Sequence, residues 1–275
     1  MNCLLPYNRM LVLAGLLLGN LFSGTGARAD TSLSADEVVR RAVQRAESPE
    51  TRSARPDYGY RKHTITEELD KKGRLKEHKE KLYDVLVESG LSSLKLVQLN
   101  GQNLPPAELK KQEEHDAAER AKIADTKPDK KGDGRENVLT ADLVGRFKFT
   151  LLEQKLINDR LTYVLSFEPK SADLPIVKLT DRFVNHMAGT VWIDAQEFEI
   201  AKADIHLQNE ISLWGGIVGT LRRCDFTLLR TRLPDGVWFN SFSHGIFEGR
   251  KLFEPMLIKT MSESSGFHRL ALAKD

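Results

Sequence analysis

The chain has 275 residues, 41 Lys+Arg against 39 Asp+Glu, and two cysteines; 40% of it is apolar and 29% charged. That mixture excludes a polytopic membrane protein, a wholly disordered chain and a disulfide scaffold. The near balance of charge argues against a dedicated nucleic-acid binder.

Met1–Ala29 reads as a secretory signal peptide. Arg9 charges a short n-region, Leu11–Leu18 opens an apolar core, and Ala27-Arg28-Ala29 is a small-x-small cleavage site before Asp30. Asn20, Ser23 and Gly24 break the apolar run short of the ~20 residues a membrane span needs. Cleavage after Ala29 removes Arg9, Arg28 and Cys3. Residues 30–275 then carry equal numbers of basic and acidic residues and a single thiol, Cys224. Cys3 precedes the apolar core and so is not placed as a lipidated cysteine. An exported compartment, a bacterial periplasm, is expected.

Ser34-Ala35-Asp36-Glu37 has the form of a capping box, with the Ser34 hydroxyl and the Glu37 side chain each closing a bond to the other's backbone. Val38, Val39, Ala42, Val43 and Ala46 follow at helical spacing until Ser48-Pro49 stops the helix. From Asp57 the period becomes two. Tyr58–Leu69, the turn Asp70–Arg74, the return strand Leu75–Glu88 and a third strand through Leu94 and Leu99 predict an antiparallel meander. Pro105–Asn137, rich in Lys and Glu, predicts a charged helical and flexible insertion.

Strands resume at Arg146. Leu161, Tyr163, Leu165 and Phe167 alternate with Thr162, Val164, Ser166 and Glu168, the clearest two-residue period in the chain. A short helix is expected around Asp181–Met187. The hairpin from Gly189 through Asp194 to Leu207 follows, then strands at Thr220–Thr231, Val237–Gly249 and Lys251–Ser262. About ten or eleven strands joined mostly by tight turns predict an α+β fold. The sheet is expected to be strongly curved and antiparallel, an open or half β-barrel. The N-terminal helix and inserted lid helices would cover its concave face. Residues 30–275 form one domain on this reading, since the strands on either side of the insertion are alike.

Motifs of catalysis are missing. There is no Gly-x-Ser-x-Gly elbow and no phosphate loop, and Gly215-Gly216-x-x-Gly219 lacks dinucleotide-binding spacing. Asp129-x-x-x-Asp133-Gly134 falls short of a calcium loop, because Lys131 and Thr140 stand where ligands belong. The seven histidines show no metal-ligand spacing. No metal, cofactor or catalytic residue is expected. A hydrolase built on His206 or His244 with a nearby carboxylate is the least favoured reading, and it requires the side chains to converge in a cleft. Leu213–Gly219 is apolar and glycine-rich, a sheet bend or the lip of a cavity. The aromatics Phe147, Phe149, Tyr163, Phe167, Trp192, Phe226, Trp238 and Phe242 fall on successive strands and belong to a core or to a cavity wall.

The order of elements resembles the periplasmic lipoprotein-carrier and receptor (LolA/LolB-like) superfamily. Gly189-Thr190-Val191-Trp192-Ile193-Asp194 followed by Glu199–Ala203 is similar to a hairpin common there. Glu67-Glu68-Leu69-Asp70-x-x-Gly73-x-x-Lys76 and Asn100-Gly101-Gln102-x-Leu104 are similar to an uncharacterised secreted bacterial branch. The resemblance implies an unclosed barrel with helices as a lid over an apolar cavity. It also implies a non-enzymatic protein whose partner is a lipid or lipoprotein acyl chain, with a membrane-associated envelope protein as a further partner. The expected ligand-binding residues are Phe147, Phe149, Tyr163, Phe167, Trp192, Trp214, Ile217 and Phe226. A monomer is expected. The alternative is a ligand-free structural or partner-binding module of the cell envelope.

Overall fold

In the computed structural model the described residues are 33–48, 57–88, 91–111, 114, 139–171, 174–177, 179–213, 219–251 and 254–270. The signal peptide and most of the Pro105–Asn137 insertion lie outside them; residues 106–111 are helical.

Helix α1 (Ala35–Glu47) begins where Ser34, in extended conformation, accepts the Glu37 backbone N–H on its hydroxyl. Only half of the capping box forms. The Glu37 carboxylate turns forward to Arg40 and Arg41, at 2.6–2.8 Å, and not back to the cap. The Arg40 hydrogen bond, then that of Arg41, holds its pKa down to about 2. Val38, Val39, Ala42 and Val43 form the buried stripe.

Twelve strands make one antiparallel sheet among the described residues. They are β1 (Tyr58–Leu69), β2 (Leu75–Glu88), β3 (Leu91–Leu99), β4 (Gln102–Asn103), β5 (Phe147–Ile157), β6 (Arg160–Pro169), β7 (Met187–Asp194), β8 (Ile200–Leu207), β9 (Ile211–Leu213), β10 (Gly219–Arg232), β11 (Trp238–Lys251) and β12 (Glu254–Arg269). Two short helices, α2 (Ala141–Gly145) and α3 (Leu179–Val184), flank β5 and β6. The order across the sheet is β4-β3-β2-β1-β12-β11-β10-β8-β7-β6-β5, with β9 beside β10. The edges β4 and β5 do not pair, so the sheet is curved and open, a half-barrel. The strand count exceeds the expectation because β4 and β9 are too short to show a period. The last strand runs past Ser262 to Arg269 because β1 is there to receive it, from Leu69 facing Leu257 to Tyr58 facing Arg269.

Residues that face each other across a ladder share a face of the sheet. One row therefore runs from Leu165 through Val191, Ala203, Leu228, Ser243, Ser262 and Thr64 to Lys81. The row beside it runs from Phe167 through Gly189, Ile205, Phe226, Gly245, Thr260 and Thr66 to Lys79. Both rows lie on the inner face, where α1 packs Val38, Val39 and Ala42 against Leu165, Val191 and Ile193. A second cluster on this face joins Tyr58 and Tyr60 to Val85, Val87 and Phe239. Gly189 allows two strands to close up here: a Cβ on it would stand 2.0 Å from the Asp204 carbonyl oxygen.

Candidate functional site

A groove of about 650 Å³ opens between α1, α2 and the edge strand β5. Val39 and Val43 from α1, Val144 from α2, and Phe147 and Phe149 from β5 give it apolar walls; Asp36, Arg40, Lys148 and Lys170 are its charged lining residues. Each element is held in place by identifiable bonds. Thr140 caps α2 by accepting the Leu143 N–H at 3.2 Å. Arg146, at the junction of α2 and β5, donates to the Pro175 carbonyl and the Asn185 side chain at 3.0 Å and pairs with Asp181 at 3.3 Å. Asp181 also accepts the Val177 N–H at 2.8 Å, so one half-buried arginine ties α3 and its approach to the start of β5.

Two of the expected residues, Phe147 and Phe149, line the groove, and Phe167 and Tyr163 lie behind them on the same face. Phe147, Phe149 and Phe167 form a ring cluster with centroids 5.2–6.3 Å apart. Edge-on and tilted contacts of this kind suit aromatic quadrupoles. Tyr163 lies on the same face and stacks on Phe198 at 6.5 Å, with the Arg41 guanidinium over the other ring at 5.2 Å. Phe147 is buried, while Phe149, Tyr163 and Phe167 are only half-buried. Phe226 shares the inner face in the Phe167 row.

Trp192 is not with them. It faces Val164 and Lys202 on the outer side, one residue out of phase with Val191 and Ile193. The Lys202 ammonium sits 4.3 Å from its ring centre and 2.6 Å from the Asp204 carboxylate. Trp214 and Ile217 lie outside the described residues. No pattern in the chain pointed to Val144, Lys148 and Lys170. The one signal for α2 was Thr140 with Asp142 two residues later, an N-cap followed by a first-turn acid.

The turn of the β7–β8 hairpin is locked by charge. The Asp194 carboxylate is 1% exposed and takes two hydrogen bonds from Arg160, at 2.7 and 2.8 Å, and two from the backbone N–H groups of Gln196 and Glu197. Burial pushes its pKa up, but the Arg160 bonds and the two backbone donors outweigh that and leave it lowered. Glu197 joins Arg232 and the Trp238 indole N–H at 2.7 Å, and Glu199 joins Arg230 at 2.8 Å and Arg45 of α1 at 3.3 Å. This network fastens α1 to the sheet at one end of the groove.

His206 faces Asp225 and His244 faces Thr227, both on the outer face. One strand, β10, lies between them, and they are offset by two residues along it, about 12 Å between Cα atoms. Cys224 is buried opposite Phe247, and burial followed by the charge of Asp225 pushes its thiol pKa up, away from the reactive thiolate. Among the described residues no three His, Cys, Asp or Glu converge as a metal site would require. No helix among them is long and apolar enough to cross a membrane.

No protein-family model and no curated protein matches the chain. Among solved structures it is similar to a LolA superfamily protein from Nitrosomonas europaea, at 13% identity over 88% of this chain and 96% of that one, with a TM-score of 0.31. It is also similar to a DUF1329 family protein from Desulfovibrio piger, at 11% identity over 88% and 96%, TM-score 0.33. A chain of the Pseudomonas aeruginosa MucA/MucB complex aligns at 9% identity over 86% and 99%, TM-score 0.25.

Proposed function

We propose that the protein is an exported, periplasmic binder of apolar ligands that takes a lipid or a lipoprotein acyl chain on the inner face of its half-barrel. The observation that carries this reading is the groove between α1, α2 and β5: an apolar space of about 650 Å³ left open beside the main core. That volume falls within the range of small-ligand sites. Half-buried Phe149, Tyr163 and Phe167 continue the apolar surface inward from it. Each methylene moved from water onto such a surface stabilises the complex by about 0.8 kcal/mol, so a chain of a dozen carbons needs no catalytic or polar machinery to be held. Three cations, Arg40, Lys148 and Lys170, against one carboxylate, Asp36, in the lining suit the anionic end of an acyl chain.

Titration with a fluorescent fatty acid tests this. The native protein should show saturable uptake. Val144→Arg, which lays a charged side chain into the groove, and Phe149→Asp should each weaken it at least tenfold. Absence of uptake by the native protein, or uptake untouched by both substitutions, would overturn the reading.

A further inference from the structure

Both rows of the inner face change chemistry in the same direction. From β6 to β10 they carry Leu165, Val191, Ala203 and Leu228, or Phe167, Ile205 and Phe226. At β11, β12 and β1 they turn to Ser243, Ser262 and Thr64, or Thr260 and Thr66. At β2 they end on Lys81 and Lys79. A face built only to pack would stay apolar across its central strands, as it does under α1. Lys62 joins the polar end from β1, facing Ser264 on one side and Tyr83 on the other.

The lysines differ from the other charges of these strands. On the outer face Arg61 pairs with Asp84 at 3.4 Å, His63 with Glu80 at 2.7 Å and Glu67 with His78 at 3.5 Å. On the inner face Lys79 is taken by Glu77 at 2.7 Å. Lys62 and Lys81 are half-buried and have no ion pair among the described residues. They stand diagonally across the β1–β2 ladder, because Thr64 faces Lys81 while Lys62 faces Tyr83; that places their β-carbons about 7 Å apart. Two half-buried lysines on neighbouring positions of one face concentrate positive charge there, and an anion between their ammonium groups would relieve the repulsion. Between them lies Thr64, whose hydroxyl is 2.8 Å from that of Ser262. One proton serves that bond, and the other hydroxyl hydrogen is left to donate outward.

We propose that Lys62 and Lys81, with the Thr64–Ser262 hydroxyls, form a site for the phosphate headgroup of an amphiphile whose chain lies on the apolar part of the same rows. Two ammonium donors flanking hydroxyl donors match a tetrahedral anion with several acceptor oxygens. The proposal rests on the apolar-ligand reading above and adds a headgroup class and an orientation to it.

Calorimetric titration with dodecyl phosphate, dodecanol and inorganic phosphate tests it. The native protein should bind dodecyl phosphate at least tenfold more tightly than dodecanol, and inorganic phosphate more weakly than dodecyl phosphate. Lys62→Gln with Lys81→Gln should bring the two amphiphiles within twofold of each other without weakening dodecanol, and Lys62→Arg with Lys81→Arg should keep the preference. Equal binding of both amphiphiles by the native protein would overturn the headgroup site and leave the apolar-ligand reading standing. So would a preference that survives the glutamine pair. Inorganic phosphate bound as tightly as dodecyl phosphate would show a free-anion site and overturn the headgroup assignment. Binding of neither amphiphile would overturn both readings.

Discussion

Asp194→Ala should be among the most damaging substitutions outside the apolar core. The carboxylate accepts two bonds from Arg160 and two from backbone N–H groups, all at 2.7–3.1 Å, and its side chain is 1% exposed. Removing one partner of a buried pair costs about 3–5 kcal/mol, because the other charge is left uncompensated. Arg160 is itself 24% exposed and has Glu197 at 3.8 Å to fall back on, so the lower end, about 3 kcal/mol, is expected. Asp194→Asn keeps the shape and loses the charge, so it should cost less. The dependence on pH has a definite sign. A carboxyl with its native pKa lowered adds stability that is complete above the unfolded carboxylate value, near 4, and is withdrawn as pH falls through the lowered native value. The gap between native protein and Asp194→Asn should therefore be constant near neutrality and narrow below about pH 4. Urea unfolding followed by circular dichroism at neutral and acid pH measures both, provided the slope m is unchanged. A cost below about 1 kcal/mol at pH 7 for Asp194→Ala, or a gap that does not close in acid, would mean that the Arg160 pair does not hold the turn.

Gly189→Ala should destabilise by about 1–3 kcal/mol or prevent folding, because its Cβ would meet the Asp204 carbonyl oxygen at 2.0 Å, and backbone must move to relieve it. Thermal unfolding checks this, and a neutral outcome would mean that the two strands stand further apart. Leu165→Ala, at a site that is 0% exposed between α1 and β7, should cost about 2–5 kcal/mol in urea. A loss near zero would show that α1 does not seal the sheet there.

The local pieces of this fold were legible because each is written in short-range chemistry. The α1 stripe, the Asp70–Arg74 turn and the bounds of β2 follow from capping, turn residues and a two-residue period. So does the alternation of β6, whose inward Leu165 and outward Val164 are where the pattern put them. What the period cannot encode is which strand lies beside which. Tyr58 facing Arg269 and Phe226 facing Ile205 are pairings across long stretches of chain, and nothing in either segment names its partner. The candidate groove was half legible for the same reason. Phe147, Phe149, Tyr163 and Phe167 sit on neighbouring strands and could be grouped by phase. Trp192 was assigned by residue type, although its phase against Val191 and Ile193 turns it to the outer face, where Lys202 covers it. Helix α2 was missed because five residues are less than two turns, too few to show a helical period. The hydroxyl and lysine end of the inner face was invisible for want of register: Ser243, Ser262, Thr64 and Lys81 form a line only once three ladders are aligned.

Whether an amphiphile occupies the inner face of the half-barrel is decided most directly by native mass spectrometry of the protein purified from the envelope of the cells that make it. The native protein should carry a bound lipid-sized mass that is lost on organic extraction and is absent from Val144→Arg. A bare polypeptide mass from the native protein, with nothing bound under conditions that preserve the fold, would contradict occupancy of that face.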